Sequence, residues 1–295
     1  MAKYSRSTIF AIAIAGFMVI IMVAAPLASL FWGSDDSDSN DNMPQSIETP
    51  DNRVSLSRAG KLIDHRLDSI TDGLNMSPPI AFGARYINSE ELEGTPLEPL
   101  MYPSDTYGTE ITKGYLAWFG DGTRIEMHTL SQGKFLPKYL SSSEYQGYMM
   151  FMRPERDEGG NYMFAIMGDP CIMGHRSRVE SVVDTIENEN ASGSYMYYAQ
   201  LLEHVDLDAP VQMVMMSTPT AQQYYEELHA LDDGRCERKL TCIGISENAT
   251  ATLNELAVNM TDDIECEVAF NQTDLNLTIA RITGNFTAVI DAEIY

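Results

Sequence analysis

Ten of the eighteen methionines fall between residues 149 and 216, and thioether sulfur is a soft ligand that suits Cu(I). Residues two apart on a strand share a face. Met150 with Met152, and Met213 with Met215, therefore offer paired sulfurs, and His175 offers an imidazole. A copper site requires at least three such groups to converge. The competing reading is that methionine fills an irregular core, which the surrounding Tyr, Phe and Val residues favour. A second cluster is GDPCIMGH, residues 168–175. Cys171 and His175 have the types of a thiolate–imidazole pair, and a following helix would present its N-terminus to an anion. Gly168, Pro170 and Gly174 read as turn residues. The five histidines, His65, His128, His175, His204 and His229, contain no metal pair of the H-E-x-x-H kind. There is no P-loop, nucleophile elbow, dinucleotide glycine pattern or haem C-x-x-C-H. No cofactor is implied, and the reading leans away from an enzyme.

The four cysteines, Cys171, Cys236, Cys242 and Cys266, all lie in the second half. Outside a cell such residues are disulfide candidates, and four allow three pairings. Seven of the fourteen asparagines open an Asn-x-Ser/Thr sequon: Asn75, Asn190, Asn248, Asn259, Asn271, Asn276 and Asn285. These are candidate N-glycan acceptors on an exported surface. Tyr195, Tyr197, Tyr198, Tyr224 and Tyr225 would line a ligand groove or pack a core; their helical spacing favours the core.

What must position these groups begins with the run Ile9–Trp32. Arg6 is the last charge before it and Asp35 the first after it, leaving 28 consecutive uncharged residues. About 20 suffice to cross a bilayer. Lys3 and Arg6 precede the run, so residues 1–8 are expected in the cytoplasm and the remainder outside. The alternative is a cleaved signal peptide, whose apolar core is usually shorter, and Pro26 crowds the place for a cleavage box. Residues 33–52 carry six acids and no bases, the composition of a disordered, self-repelling spacer. Residues 53–295 remain as an extracytoplasmic domain, with a sub-boundary expected near 190–210. The net charge of −24 argues against nucleic acid, which needs basic patches. The expected partners are the membrane, through residues 9–32, and other surface proteins.

Along that domain, Ile63, Leu67, Ile70 and Leu74 predict an amphipathic helix over 56–74. Strands are predicted at 80–87, 115–119 and 124–130, 148–152 and 162–167, and 211–216. Tyr102–Thr112 reads as loop. Val179, Val182, Val183 and Ile186 predict one helix, Tyr198, Leu201, Leu202 and Val205 a second, and Tyr224, Tyr225, Leu228 and Leu231 a third, started by Thr218-Pro219 and closed by Gly234. From Lys239 the period becomes two, predicting a C-terminal meander over 264–270, 275–280 and 286–294; in 250–258 Leu253, Leu256, Ala257 and Met260 also fit a helix, but the turn spacing favours a strand. The fold class expected is therefore α+β: an N-terminal transmembrane helix, then antiparallel sheet with helices on one face and a C-terminal β meander, as one composite domain or two sheets.

The apolar anchor, acidic linker, acidic domain and Thr-rich sequons together resemble membrane-anchored surface glycoproteins of archaea, of the methanogen or halophile type. The likeness is one of style over the whole chain and brings no catalytic residue with it. The function expected is a binding or structural role at the cell exterior. The alternatives are a copper or small-ligand module in the Met/Tyr-rich middle, or an extracytoplasmic enzyme.

Overall fold

The computed structural model describes residues 60–102, 107–131, 138–157, 159–188, 190–258, 264–271, 275–292 and 294. The chain divides into two units, Met1–Asn52 and Arg53–Tyr295, and every described element belongs to the second. The anchor run, the linker, Asn259 and the side chain of Asn271 lie outside the described residues. Among the described residues no helix is long and apolar enough to cross a membrane.

In chain order the elements are β1 (Ile63–Asp64), α1 (Ile70–Met76), β2 (Ala81–Asn88), β3 (Ile111–Phe119), β4 (Arg124–Leu130), β5 (Ser141–Tyr145), β6 (Tyr148–Arg156), β7 (Tyr162–Ile166), β8 (Gly168–Asp169) and β9 (Cys171–His175). Then come α2 (Arg176–Glu187), α3 (Tyr195–Leu202), β10 (Val211–Met216), β11 (Ala221–Ala230), β12 (Cys236–Ile245), α4 (Glu247–Val258), β13 (Ile264–Asn271), β14 (Leu277–Gly284) and α5 (Phe286–Asp291). Twelve strands form one sheet in the order β13-β14-β12-β11-β10-β2-β3-β4-β9-β7-β6-β5. All of its pairings are antiparallel. β1 and β8 make a separate parallel pair.

This overturns the expected fold class. Helices cover both faces of a single sheet, and the C-terminus is not a meander. On the front face α1, α2 and α3 enclose Tyr86, Tyr115, Ile125, Met150, Ile172, Val182, Val214 and Tyr225. On the back face α4 and α5 close one end over Leu228, Cys236, Leu240, Cys266 and Ile282. The chain around Tyr107 and Tyr139 closes the other end over Ile111, Phe151, Met163, Cys171 and Met173. Nor is there a sheet boundary near 190–210, because β10 pairs with β2 and joins the two halves.

Burial on both faces explains the misread elements. A strand covered on both sides need not alternate apolar and polar residues. In β11, AQQYYEELHA, the front face takes Tyr225 and the back face Leu228, so the apolar residues imitate a helical stripe. Its acids are accommodated by cross-strand cations: Lys239 Nζ lies 2.6 Å from Glu227 and Arg238 Nη2 2.8 Å from Glu226. Two predicted strands are helices with local start signals. Ser246 Oγ accepts from Ala249 N at 3.2 Å ahead of α4, and Asn285 Oδ1 accepts from Ala288 N at 2.9 Å ahead of α5; both are N-caps. Of the helix predicted over 56–74, residues 56–59 lie outside the described residues, 60–69 are not helical, and α1 begins at Ile70. Ile63 and Leu67 reach the same core from an extended segment that donates to Met167 O through Ile63 N and to Asp169 O through His65 N. The hairpins β3–β4 and β6–β7, helix α2 and strand β10 form where the periodicity places them.

Candidate functional site

A buried group of titratable side chains grows from β4. Its sequence RIEMHTL alternates, so Ile125 and Met127 enter the front core while Arg124, Glu126 and His128 share the back face. That alternation reads as a solvent-facing edge. Instead Tyr102 and Tyr107 cover it. Tyr102 lies against Gly114, the cross-strand partner of His128, where a Cβ would stand 2.1 Å from the tyrosine ring. A glycine at this strand position lets the ring in.

His128 is 1% exposed. The rings of Tyr102 and Tyr107 meet it edge-on, with centroids at 5.4 and 5.5 Å. Burial holds its pKa down at about 3, so the imidazole is neutral. Tyr107 OH lies 2.8 Å from Nδ1. We assign the phenol as donor, since burial pushes its pKa well above its usual value. The N–H then sits on Nε2, 3.7 Å from Glu126 Oε2. Burial raises the Glu126 pKa, against the opposing pull of Arg124, whose Nε is 3.1 Å away, and of Arg85. Arg153, fully buried on β6, donates to Glu155 through Nε at 3.0 Å and Nη2 at 3.3 Å. Its guanidinium carbon is 5.5 Å from the Tyr107 ring centre. Cys171 pairs in register with His128. Its thiol donates to Gly168 O at 3.4 Å, and burial pushes its pKa up to about 11.

The cluster sits where β3, β4 and β9 pair, with His128 opposite Gly114 on one side and Cys171 on the other. It is not built for nucleophilic attack. The thiol stays protonated at neutral pH, and two tyrosine rings flank the imidazole. Cys171 and His175 are four residues apart on an extended strand, about 13 Å, rather than on one turn of a helix. His175 ends β9 and precedes α2 without a side-chain cap bond.

The methionine candidates also separate. Met150 lies in the front core and Met152 shares its face. Met213 and Met215 are on the back face of β10, six strand spacings away, or about 29 Å. Met215 Sδ accepts from Tyr224 OH at 3.1 Å. Among the described residues no three His, Cys, Asp or Glu side chains group as a metal site. The four cysteines are buried free thiols. Cys236 and Cys242 are six residues apart on β12, and β14 separates both from Cys266 on β13. Two strand spacings are about 9.5 Å, beyond the Cα span of roughly 7 Å that a disulfide bridges. Cys171 is six strands from β12. Of the sequon asparagines, Asn75, Asn190, Asn248, Asn276 and Asn285 are exposed. Tyr198 and Tyr225 are core residues whose hydroxyls donate to Ala81 O at 2.9 Å and Asp206 O at 2.6 Å.

Arg85, Tyr102, Tyr107, Glu126, His128 and Arg153 were not legible as a group. Their one sequence signal is Gly114, a glycine inside a strong strand that follows a tyrosine-bearing loop. No family model matches the chain, no curated protein matches it, and no solved structure matches it.

Proposed function

We propose that the chain is a membrane-anchored extracytoplasmic surface protein whose folded unit, residues 53–295, has a binding or structural role. The uncharged 28-residue run between Arg6 and Asp35 carries this reading. It can span a bilayer, its basic flank precedes it, and an acidic spacer follows. The exposure of five sequon asparagines, spread from Asn75 to Asn285, adds support. Acceptors so displayed suit a glycan-bearing outer surface.

The full-length chain should sediment with membranes and stay there through alkaline carbonate washing. Protease added to intact cells should remove residues beyond 53 while leaving the N-terminus protected. Recovery of the protein in the cytosolic fraction, or protection of the domain in intact cells, ends the proposal. Peptide mass mapping of the same material reads sequon occupancy directly.

A further inference from the structure

Two clefts lie side by side where β12 ends. One, of about 460 Å³, runs between α4 and the β13–β14 pair, and Glu247, Thr250, Asn254, Phe270 and Asn276 line it. The other, of about 510 Å³, is bordered by Ser217, Thr218, Gln222 and Ser246. They meet at residues 244–246: Ile245 lines the first, while Gly244 and Ser246 line the second. Gly244 N donates to Asn276 O at 3.3 Å and ties the two floors together.

The lining chemistry is selective. Among the described residues neither cleft presents a Lys, Arg or His, so an anion finds no partner. A single carboxylate, Glu247, is too little for a hard cation, which takes six or more oxygens. What remains is hydroxyls and amides, which both donate and accept, beside one aromatic ring and the apolar side chains of Ile245, Ala251 and Ala221. Phe270 is 45% exposed, although its strand mates Cys266 and Val268 on the same face belong to the core cluster. The backbone is also strained here. Of the four non-glycine residues with positive φ among the described residues, Ser217 (55°) and Asn276 (48°) border these clefts. Such residues cost energy and gather at ligand sites.

We infer that the paired clefts bind a neutral saccharide chain. One pyranose stacks its C–H face on Phe270, and its hydroxyls bond to Asn254, Asn276 and Glu247. The adjoining hydroxyl-lined cleft takes the next sugar. The same chemistry has two sources. Asn276 opens a sequon with Thr278, so a glycan on its own amide would begin inside the cleft. The other source is a polysaccharide outside the chain. The first source rests on the export proposed above; the second does not.

The test uses the full-length chain in detergent, prepared once from a host that attaches N-glycans and once from one that does not. Chitotetraose, mannotetraose and maltotetraose are the probes, followed by saturation-transfer NMR and calorimetric titration. The sugar-free preparation should bind at least one probe with a Kd of about 1 mM or tighter. Phe270→Ala should weaken that binding about tenfold, Phe270→Tyr should leave it within about threefold, and Asn254→Ala on the exposed side of α4 should cost about fivefold. Far-UV circular dichroism checks that each variant is folded. If the glycosylated preparation carries sugar at Asn276 and no longer takes the free probe, its own glycan is the occupant. If it binds the probe equally well, the occupant is external. Binding of none of the three probes at about 10 mM by the sugar-free chain, or parent-like binding by Phe270→Ala, overturns the inference. Because the sugar-free arm does not depend on export, failure of the clefts and failure of membrane display are separate results.

Discussion

At one end of the back face, α4 and α5 lay Leu253 and Val289 over Cys236, Leu240 and Ile282. At the other end Tyr102 and Tyr107 lie over His128, and Tyr107 shares a core cluster with Cys171. The first cover is mostly apolar, and Arg238 beneath it is bonded to oxygen. Arg238 Nη1 donates to Ala292 O at 3.0 Å at the end of α5, and Nη2 to Glu226. The second cover seals an imidazole, a carboxyl and a guanidinium into the core. Burial at the first end rewards area alone. Burial at the second end carries a cost, because the imidazole gives up its charge and its Nε2 finds no hydrogen-bond partner among the described residues. The two ends should therefore answer differently to mutation and to acid.

The largest effect is expected at the helix-covered end. Leu253→Ala removes a buried side chain from α4 and should cost about 3–4 kcal/mol in urea unfolding, with little change in that cost between pH 7 and 5. A cost that varies strongly with pH would erase the contrast.

Acid should act next, at the loop-covered end. His128 holds its proton more weakly folded (about 3) than unfolded (6.5). As pH falls below 6.5 the unfolded chain takes up the proton first, and stability drops by up to about 1.4 kcal/mol per pH unit. Glu126, whose pKa is raised, acts with the opposite sign: the folded chain holds that proton more tightly, which offsets part of the loss. His128→Phe keeps a ring between the two tyrosines. It should remove roughly 3 kcal/mol of acid-dependent loss between pH 6.5 and 4. Superimposable acid limbs for parent and variant would show that His128 is not held neutral.

Gly114→Ala places a methyl group inside the Tyr102 ring and should cost about 2 kcal/mol by overpacking. Gly120→Ala, which meets nothing within 4 Å, should stay within about 0.5 kcal/mol. Equal effects of the two would mean that the tyrosine cover contributes nothing. The smallest change is Tyr107→Phe. It leaves Nδ1 of His128 without its 2.8 Å partner and should cost about 1 kcal/mol in the same urea assay.

Where one local signal sufficed, the sequence was readable. The stripe Val179, Val182, Val183 makes α2, and Gly120-Asp121-Gly122 turns the β3–β4 hairpin. Legibility failed where a residue's surroundings came from distant chain. β11 looked helical because helices on both faces make alternation unnecessary. The strands predicted at 250–258 and 286–294 give way to the helices Glu247–Val258 and Phe286–Asp291, and their caps, Ser246 and Asn285, are read more reliably than the period that follows them. The β2–β10 pairing joins residues more than 120 apart in sequence, and no periodicity announces it. The His128 cluster was hidden for the same reason. Arg124, Glu126 and His128 have the pattern of a wet strand face, and only the fold reveals the loop that covers them.

The short pair β1–β8 has a mechanical consequence. Residues 60–65 run along the sheet's flank as a clasp. Lys61 N donates to Gly147 O at 2.8 Å, Ile63 N to Met167 O at 3.1 Å and His65 N to Asp169 O at 2.9 Å, while Lys61 Nζ pairs with Glu187 at 2.9 Å. When the chain is pulled from its N-terminus, tension reaches this clasp before any of the twelve strands. These few bonds peel in succession, and the sheet is loaded only after they have parted. The clasp is thus the first part of the described fold that such a load would meet.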